Sequence, residues 1–290
     1  MDVFEARGGA VGGEGHEPDE RYGPPGFPEF HDDVKAAREA QLRPSVSVVI
    51  PTLNEARNIP IVLAELPENV DEVVIVDGHS TDDTVPVVRA ARPDAIVIMQ
   101  SGRGKGDALR CGFEAARGDI LVMMDADGSA DPAEIPRFLR VLEDGADFAK
   151  GTRFAHDGGS SDITRTRQAG NRVLSATVNA LYGTSYTDLC YGYNAFWRRC
   201  LSTMGIDCPG FEVETLINIR IGRAGLNVTE VPSFERDRIH GESNLRTFRD
   251  GARVLRTIVR ERIAGSPQPQ LVTQIDEHAH AQVDYAAESS

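Results

Sequence analysis

Four short apolar runs, each ended by a polar turn, constrain this chain more than any other feature. Residues 46–50 (VSVVI) run into Pro51-Thr52-Leu53-Asn54-Glu55, and residues 73–76 (VVIV) into Asp77-Gly78-His79-Ser80-Thr81. Residues 95–99 (AIVIM) lead to Gly102-Arg103-Gly104-Lys105-Gly106, and residues 120–124 (ILVMM) to Asp125-Ala126-Asp127-Gly128. Runs this short and this continuously apolar suit strands buried on both faces. Segments 58–66, 85–91 and 107–116 between them read as helices. Strand–helix alternation of this length specifies βαβ units and a parallel sheet. The carboxyl ends of such strands share one edge, where open α/β sheets hold ligands. Glu55, Asp77, Lys105, Asp125 and Asp127 are therefore expected to converge.

Asp125 and Asp127 carry the most chemistry. In extended backbone, residues i and i+2 point the same way, so two carboxylates would leave the sheet together. Hard oxygen ligands offered as a pair suit Mg²⁺ or Mn²⁺ shared with substrate phosphates. The plainer alternative is a strand-to-helix turn whose acids only cap and solvate. Asp131-Pro132-Ala133-Glu134 follows as a helix start, with Asp131 as N-cap and Pro132 at the first helical position. Lys105, between two glycines before a helix, suits phosphate contact, because the backbone approaches closely and the helix N-terminus favours anions. The spacing is not that of a Walker P-loop. Asp77 is placed to bind a nucleobase or ribose hydroxyl, or to cap its own turn.

The net charge of −14 over 290 residues argues against a nucleic-acid partner, since phosphate contact needs clustered Lys and Arg. Much of that charge lies at the ends. Residues 1–44 hold ten acids against five bases, and residues 265–290 hold four acids and no Lys or Arg. Both ends lack hydrophobic period and read as disordered tails around a single folded domain, residues 45–264. The first residues have neither the basic start nor the apolar core of a secretory signal, and no run reaches the roughly eighteen apolar residues a membrane span needs. The four cysteines show no metal-binding spacing, which fits a reducing compartment. A soluble cytoplasmic protein is expected, with contact at a membrane surface left open.

Beyond Asp131 the alternation is less regular. Residues 132–143, 167–182 and 212–224 read as helices, and 147–150 and 228–234 as strands, with loop then strand over 188–197. Residues 245–263 form an amphipathic helix. Leu245, Phe248, Ala252, Leu255, Val259 and Ile263 share one side, and Arg246, Arg249, Arg253, Arg256 and Arg260 take the remainder. The expected arrangement packs the apolar side on the domain and solvates the arginines. The alternative lays the helix on an anionic bilayer.

Taken in order, PTLNE (51–55), VDGHSTDDT (76–84), GRGKGDAL (102–109) and DADGSADP (125–132) resemble family 2 glycosyltransferases. The likeness continues through GTR (151–153), DLCYGYNAFWR (188–198), GFEVETLI (210–217) and EVPSFERDRIHGESNL (230–245). Within that family the pattern is most similar to the polyprenyl-phosphate sugar synthases of the dolichol-phosphate mannosyltransferase type. The resemblance implies a GT-A fold: a Rossmann-like, mostly parallel sheet flanked by helices, with an irregular acceptor-side half. It implies that Pro51, Leu53, Glu55 and Asp77 line the nucleoside pocket, with Lys105 beside the base and ribose. Asp125 and Asp127 would hold a Mg²⁺ or Mn²⁺ ion against the diphosphate of a UDP- or GDP-linked sugar. Arg153 and Arg167 would face the acceptor, and Arg238, His240 and Ser243 would lie in a loop closing over the diphosphate. Ser129 stands where members often have Gln, the run Gly192-Tyr193-Asn194-Ala195-Phe196-Trp197-Arg198 stands where they commonly carry Gly-Phe-Arg, and loop 158–164 lacks the usual Trp. These departures lie on the acceptor side.

The implied reaction is inverting, metal-dependent transfer of a hexose, with a lipid phosphate as one candidate acceptor. An acceptor phosphate is already an anion. A hydroxyl acceptor on a small molecule or glycan would need a base, for which Glu212 and Glu214 are candidates; both acids could equally serve a helix N-terminus. A non-catalytic nucleotide-sugar-binding protein is the alternative from another class, and the intact Asp125/Asp127 pair speaks against it.

Overall fold

The computed structural model describes residues 43–241 and 247–264. The two expected tails, Ser243, Leu245, Arg246 and the side chain of Phe248 lie outside what is described. The strands are β1 (Val46–Thr52), β2 (Glu72–Asp77), β3 (Ile96–Met99), β4 (Ile120–Met123), β5 (Phe148–Thr152), β6 (Gly159–Ser160), β7 (Asn194–Trp197), β8 (Val228–Pro232) and β9 (Phe234–Glu235). The helices are α1 (Ile59–Ala64), α2 (Thr84–Ala91), α3 (Lys105–Ala115), α4 (Ile135–Glu143), α5 (Arg165–Tyr182), α6 (Leu201–Met204), α7 (Val213–Arg223) and α8 (Thr247–Ile263).

Seven strands form one sheet in the order β3-β2-β1-β4-β7-β5-β8, and β6 pairs with β9 separately. All neighbours in the large sheet are parallel except β7, which runs against both β4 and β5. The chain moves outward from β1 to β2 and β3, then returns to place β4 on the other side of β1. The strand order therefore reverses between β1 and β4, and a crevice opens there at their carboxyl ends.

Alternation along the strands explains the layers. Val46, Val48, Ile50, Ile120 and Val122 point to one face, where α1, α2 and α4 bury Ile59, Val88 and Phe138 against them. Val49, Val74, Leu121 and Met123 point to the other, under α3, α6 and α7. Asp131 caps the turn before α4 as expected, its Oδ1 accepting from the Ala133 N–H at 3.0 Å; the first turn is 3₁₀ rather than α.

Helix α8 is turned the other way from the expected arrangement. Leu255, Val259 and Ile263 are 50, 49 and 80% exposed, whereas Asp250, Val254, Thr257, Ile258 and Glu261 are buried. Two forces choose this face. Val254 and Ile258 join Val178, Tyr186, Leu189 and Ile219 in a third apolar cluster, with the Tyr182 hydroxyl donating to the Ile258 carbonyl at 2.6 Å. Arg220 is buried in α7 and draws Glu261 inward, with Nη2 to Oε1 at 2.9 Å and Nε to Oε2 at 3.0 Å. A guanidinium taken out of water without a carboxylate would cost several kcal/mol, more than the burial of two or three aliphatic side chains halfway would return.

Candidate active site

A cleft of about 380 Å³ opens at the carboxyl ends of β1 and β4. Pro51 enters it from the end of β1, Leu53 and Glu55 from the turn that follows, Lys105 from the start of α3, and Asp125 and Asp127 from the turn after β4. The second half of the chain contributes Arg153, Arg167, Glu214 and Arg238. Asp77, Glu212 and His240 are not in its wall. β4 ends at Met123, so Asp125 and Asp127 reach the cleft from a turn and not by strand alternation.

Three chain segments meet at Lys105. Its Nζ lies 2.6 Å from Asp125 Oδ1 and 2.7 Å from Glu214 Oε1. Burial alone would lower the ammonium's pKa, but the two carboxylates outweigh it and hold the group above the ordinary lysine range. Glu214 is buried, and desolvation raises its pKa, offset in part by Lys105. Gly192 leaves room for this triad: a Cβ there would lie 2.8 Å from Lys105 Nζ and 3.2 Å from Glu214 Oε1.

The glycines around Lys105 have a cause within the chain. The Gly106 N–H donates to the Pro209 carbonyl at 2.9 Å. A Cβ on Gly104 or Gly106 would come under 3.0 Å from the Pro209 or Cys208 carbonyl oxygen. Close backbone approach was expected here for a phosphate; the backbone that approaches is segment 208–210.

Arg238 is a second bridge across the cleft, with Nη2 2.7 Å from Asp127 Oδ2 and Nη1 3.1 Å from Glu55 Oε1. Asp127 also accepts from the Ser129 hydroxyl at 2.7 Å and from its N–H at 3.0 Å. Burial raises the Glu55 pKa, against the pull of Asn58 and Arg238.

Arg153 is engaged on two sides. Its Nε and Nη2 grip Asp188 at 2.7 and 3.0 Å, and Nη1 meets both Glu235 oxygens at 3.0 and 3.1 Å. Asp188 also accepts from Asn171 Nδ2 at 3.0 Å. Burial would raise the Asp188 pKa, but Arg153 more than reverses it and holds the acid below its usual value. Among the described residues Arg167 has one looser ionic partner, Asp162 at 3.3 Å, and it lines the cleft.

Asp77, Glu212 and His240 make contacts within the fold. Asp77 is buried and accepts from the Ser80 N–H at 2.8 Å, closing the turn after β2. Glu212 is buried beside Gly210, whose N–H donates to it at 3.3 Å. The His240 carbonyl accepts from Asn58 Nδ2 at 3.0 Å, tying the loop of Arg238 to α1. Sequence reasoning missed Lys150, a fully buried lysine under the site, whose Nζ donates to the Gly151 and Tyr191 carbonyls at 2.8 and 3.0 Å. It also missed Asp188 and Glu235, the two carboxylates that hold Arg153. A Lys in a short strand gives no sign of lying inside, and partners 35 and 82 residues from Arg153 leave no local spacing.

Acids and cations face one another across a cleft at the switch point of a mostly parallel sheet, where open α/β sheets hold ligands. The profile of "Glycosyl transferase family 2" matches residues 47–205. The chain is 32% identical over 219 residues to a dolichyl-phosphate hexose transferase of Haloferax volcanii, covering 74% of this chain and 92% of that protein. It is 32% identical over 225 residues to the polyprenol monophosphomannose synthase of Mycolicibacterium smegmatis, covering 71% and 83%. The structure of glucosyl-3-phosphoglycerate synthase from Mycobacterium tuberculosis, with Mn²⁺, UDP-glucose and phosphoglyceric acid, superposes with a TM-score of 0.63 at 26% identity, over 79% of this chain and 83% of that one. The chain belongs to glycosyl transferase family 2. It is a glycosyltransferase with a GT-A fold.

Proposed function

We propose that this enzyme moves a hexose from a UDP- or GDP-linked sugar to a polyprenyl phosphate, with inversion at the anomeric carbon. The names of the Haloferax and Mycolicibacterium relatives support the acceptor. The observation that carries the reading is the pairing of Asp125 and Asp127 with Lys105 and Arg238 in one cleft.

The donor set suits a divalent ion. Of the carboxylates lining the cleft, Asp125 and Asp127 come from one turn, and among the described residues no group of three or more His, Cys, Asp or Glu could hold a metal unaided. Hard oxygens in that number match Mg²⁺ or Mn²⁺, which complete their shell with substrate phosphate and water. Asp125 and Asp127 would hold the ion, which would supply Lewis-acid stabilisation of the leaving diphosphate. Lys105 and Arg238 add donors toward the same developing charge. Arg167 orients the acceptor phosphate. The acceptor oxygen bonds to the anomeric carbon as the bond from that carbon to the diphosphate breaks, and the electron pair leaves with the nucleotide. No proton has to be removed, and Glu214 serves by holding Lys105.

A phosphorylated soluble acceptor is the second reading, supported by the phosphoglyceric acid in the mycobacterial enzyme. Thermal stabilisation by UDP-glucose, UDP-N-acetylglucosamine and GDP-mannose, with and without Mn²⁺, identifies the donor by mass action. Transfer of labelled sugar to polyprenyl phosphate or to 3-phosphoglycerate then separates the acceptors. Asp127→Ala is expected to abolish metal-dependent turnover, and an active variant would remove the metal assignment. Transfer to the soluble acceptor alone would remove the lipid reading.

A further inference from the structure

We infer that the outward face of α8 is a docking surface for an anionic lipid bilayer. Ala252, Leu255, Val259 and Ile263 fall within one side of the helix, at three- and four-residue spacing, and that side is turned to solvent. Leu255, Val259 and Ile263 are among the most exposed large apolar side chains of the described residues. Such a stripe on a helix of 17 residues, about 25 Å long, has a cause to seek outside the fold.

Charge selects the occupant. The acids of α8, Asp250 and Glu261, are both buried. Its outward surface carries Arg249, Arg256, Arg260 and Arg262 and no carboxylate, in a chain whose net charge is −14. Arg260 is engaged by Asp207 at 2.8 Å, while Arg249, Arg256 and Arg262 form no ion pair among the described residues. An apolar stripe flanked by arginines is the pattern of a helix lying in the headgroup region of an anionic membrane. A second copy packed α8 against α8 would match the stripes but set arginines against arginines.

The opposite side of the same helix sends Asp250, Gly251 and Val254 into the wall of the cleft. A bilayer touching one side would therefore stand one helix diameter from the acceptor end of the site. That placement rests on the polyprenyl phosphate reading; the docking surface itself does not.

The test is sedimentation of the full chain with phosphatidylcholine vesicles, with and without phosphatidylglycerol. The wild type is expected to bind only the anionic vesicles and to be released by salt. L255S/V259S/I263S is expected to lower partitioning by about tenfold or more, and R256Q/R262Q by about tenfold. Both variants should keep the wild-type melting temperature and donor affinity, because these side chains face solvent. Absence of wild-type binding, or equal binding by the triple variant, would overturn the inference. So would conversion of a wild-type dimer to a monomer by the triple variant, which would make the stripe an interface between copies. Vesicle binding needs no acceptor, so the result stands apart from which acceptor is used.

Discussion

Gly106→Ala distinguishes a turn shaped for a ligand from one shaped for the chain itself. Gly106 is the second residue of α3 and does not have a positive φ, so its backbone admits alanine. Helical preference alone would favour alanine by up to about 1 kcal/mol. Against this, the new Cβ would come under 3.0 Å from the Cys208 carbonyl oxygen, and to 3.0 and 3.1 Å from the carbonyl carbons of Cys208 and Pro209. These are backbone atoms, held by the Gly106 N–H bond to Pro209 at 2.9 Å. Relief requires moving segment 208–210, not turning a side chain. Overpacking of this kind costs about 1–3 kcal/mol, and weakening the hydrogen bond adds about 1 kcal/mol. The net destabilisation is about 1–3 kcal/mol, a fall in melting temperature of roughly 3–10 °C for a domain of this size. Calorimetry measures it, and titration with the donor nucleotide shows a smaller loss of affinity as Glu214 shifts under Lys105. An unchanged melting temperature with collapsed donor affinity would refute the argument, because the glycine would then be serving the ligand.

Asp188→Asn is expected to destabilise the fold by about 3–5 kcal/mol at neutral pH, since it leaves Arg153 buried with half its partners. The sign of the pH dependence follows from the depressed Asp188 pKa: its stabilisation is present above the unfolded value of the acid and is lost as pH falls through the folded value. The gap between wild type and variant should therefore close under acid, in denaturant titrations run from neutral to low pH. Glu214→Gln keeps the shape of the carboxylate but weakens its hold on Lys105. The expected result is a raised donor KM with an unaltered pH–rate profile, and loss of an acid limb would instead make Glu214 the general base. Gly192→Ala sets a methyl 2.8 Å from Lys105 Nζ; donor affinity should fall about tenfold or more with little change in melting temperature, because the lysine can give way.

The donor half was legible because its signals are local. Each strand is a short apolar run, each turn follows directly, and parallel pairing brings the turns to one edge without further information. The pairing of Asp125 and Asp127 in the cleft was anticipated, although by a strand that stops at Met123 before either of them. What was illegible depended on partners far away in the chain. The period of α8 shows that one side is apolar, and it says nothing of which way that side turns. Arg220 and Glu261, 41 residues apart, decide that. Lys150 reads as a surface residue until two carbonyls, one of them 41 residues on, are found above it. Gly104 and Gly106 announce a close approach, and only the fold reveals that Cys208 and Pro209 make it.

The same long-range pairs explain why the two halves of the sheet act as one site. β7 runs opposite to its neighbours, and segment 188–192 before it is thereby carried back over the end of β4, so Gly192 arrives against Lys105. Lys105 then meets Glu214 from α7, and Glu55 and Asp127 meet Arg238 from the segment after β9. Each pair joins a donor-side element to an acceptor-side one. Charges held in this way lose part of their solvation when they are buried and regain it only while both partners stay in place. On the proposed reading, an anionic diphosphate entering the cleft would offer Lys105 and Arg238 a competing partner and would loosen their hold on Glu214, Glu55 and the two aspartates. Asp125 and Asp127 would then be freer to take up a cation. The expected outcome is that donor and divalent ion raise each other's affinity through residues that bridge the sheet and that a substitution weakening one bridge lowers both together, as measured by titrating each with and without the other.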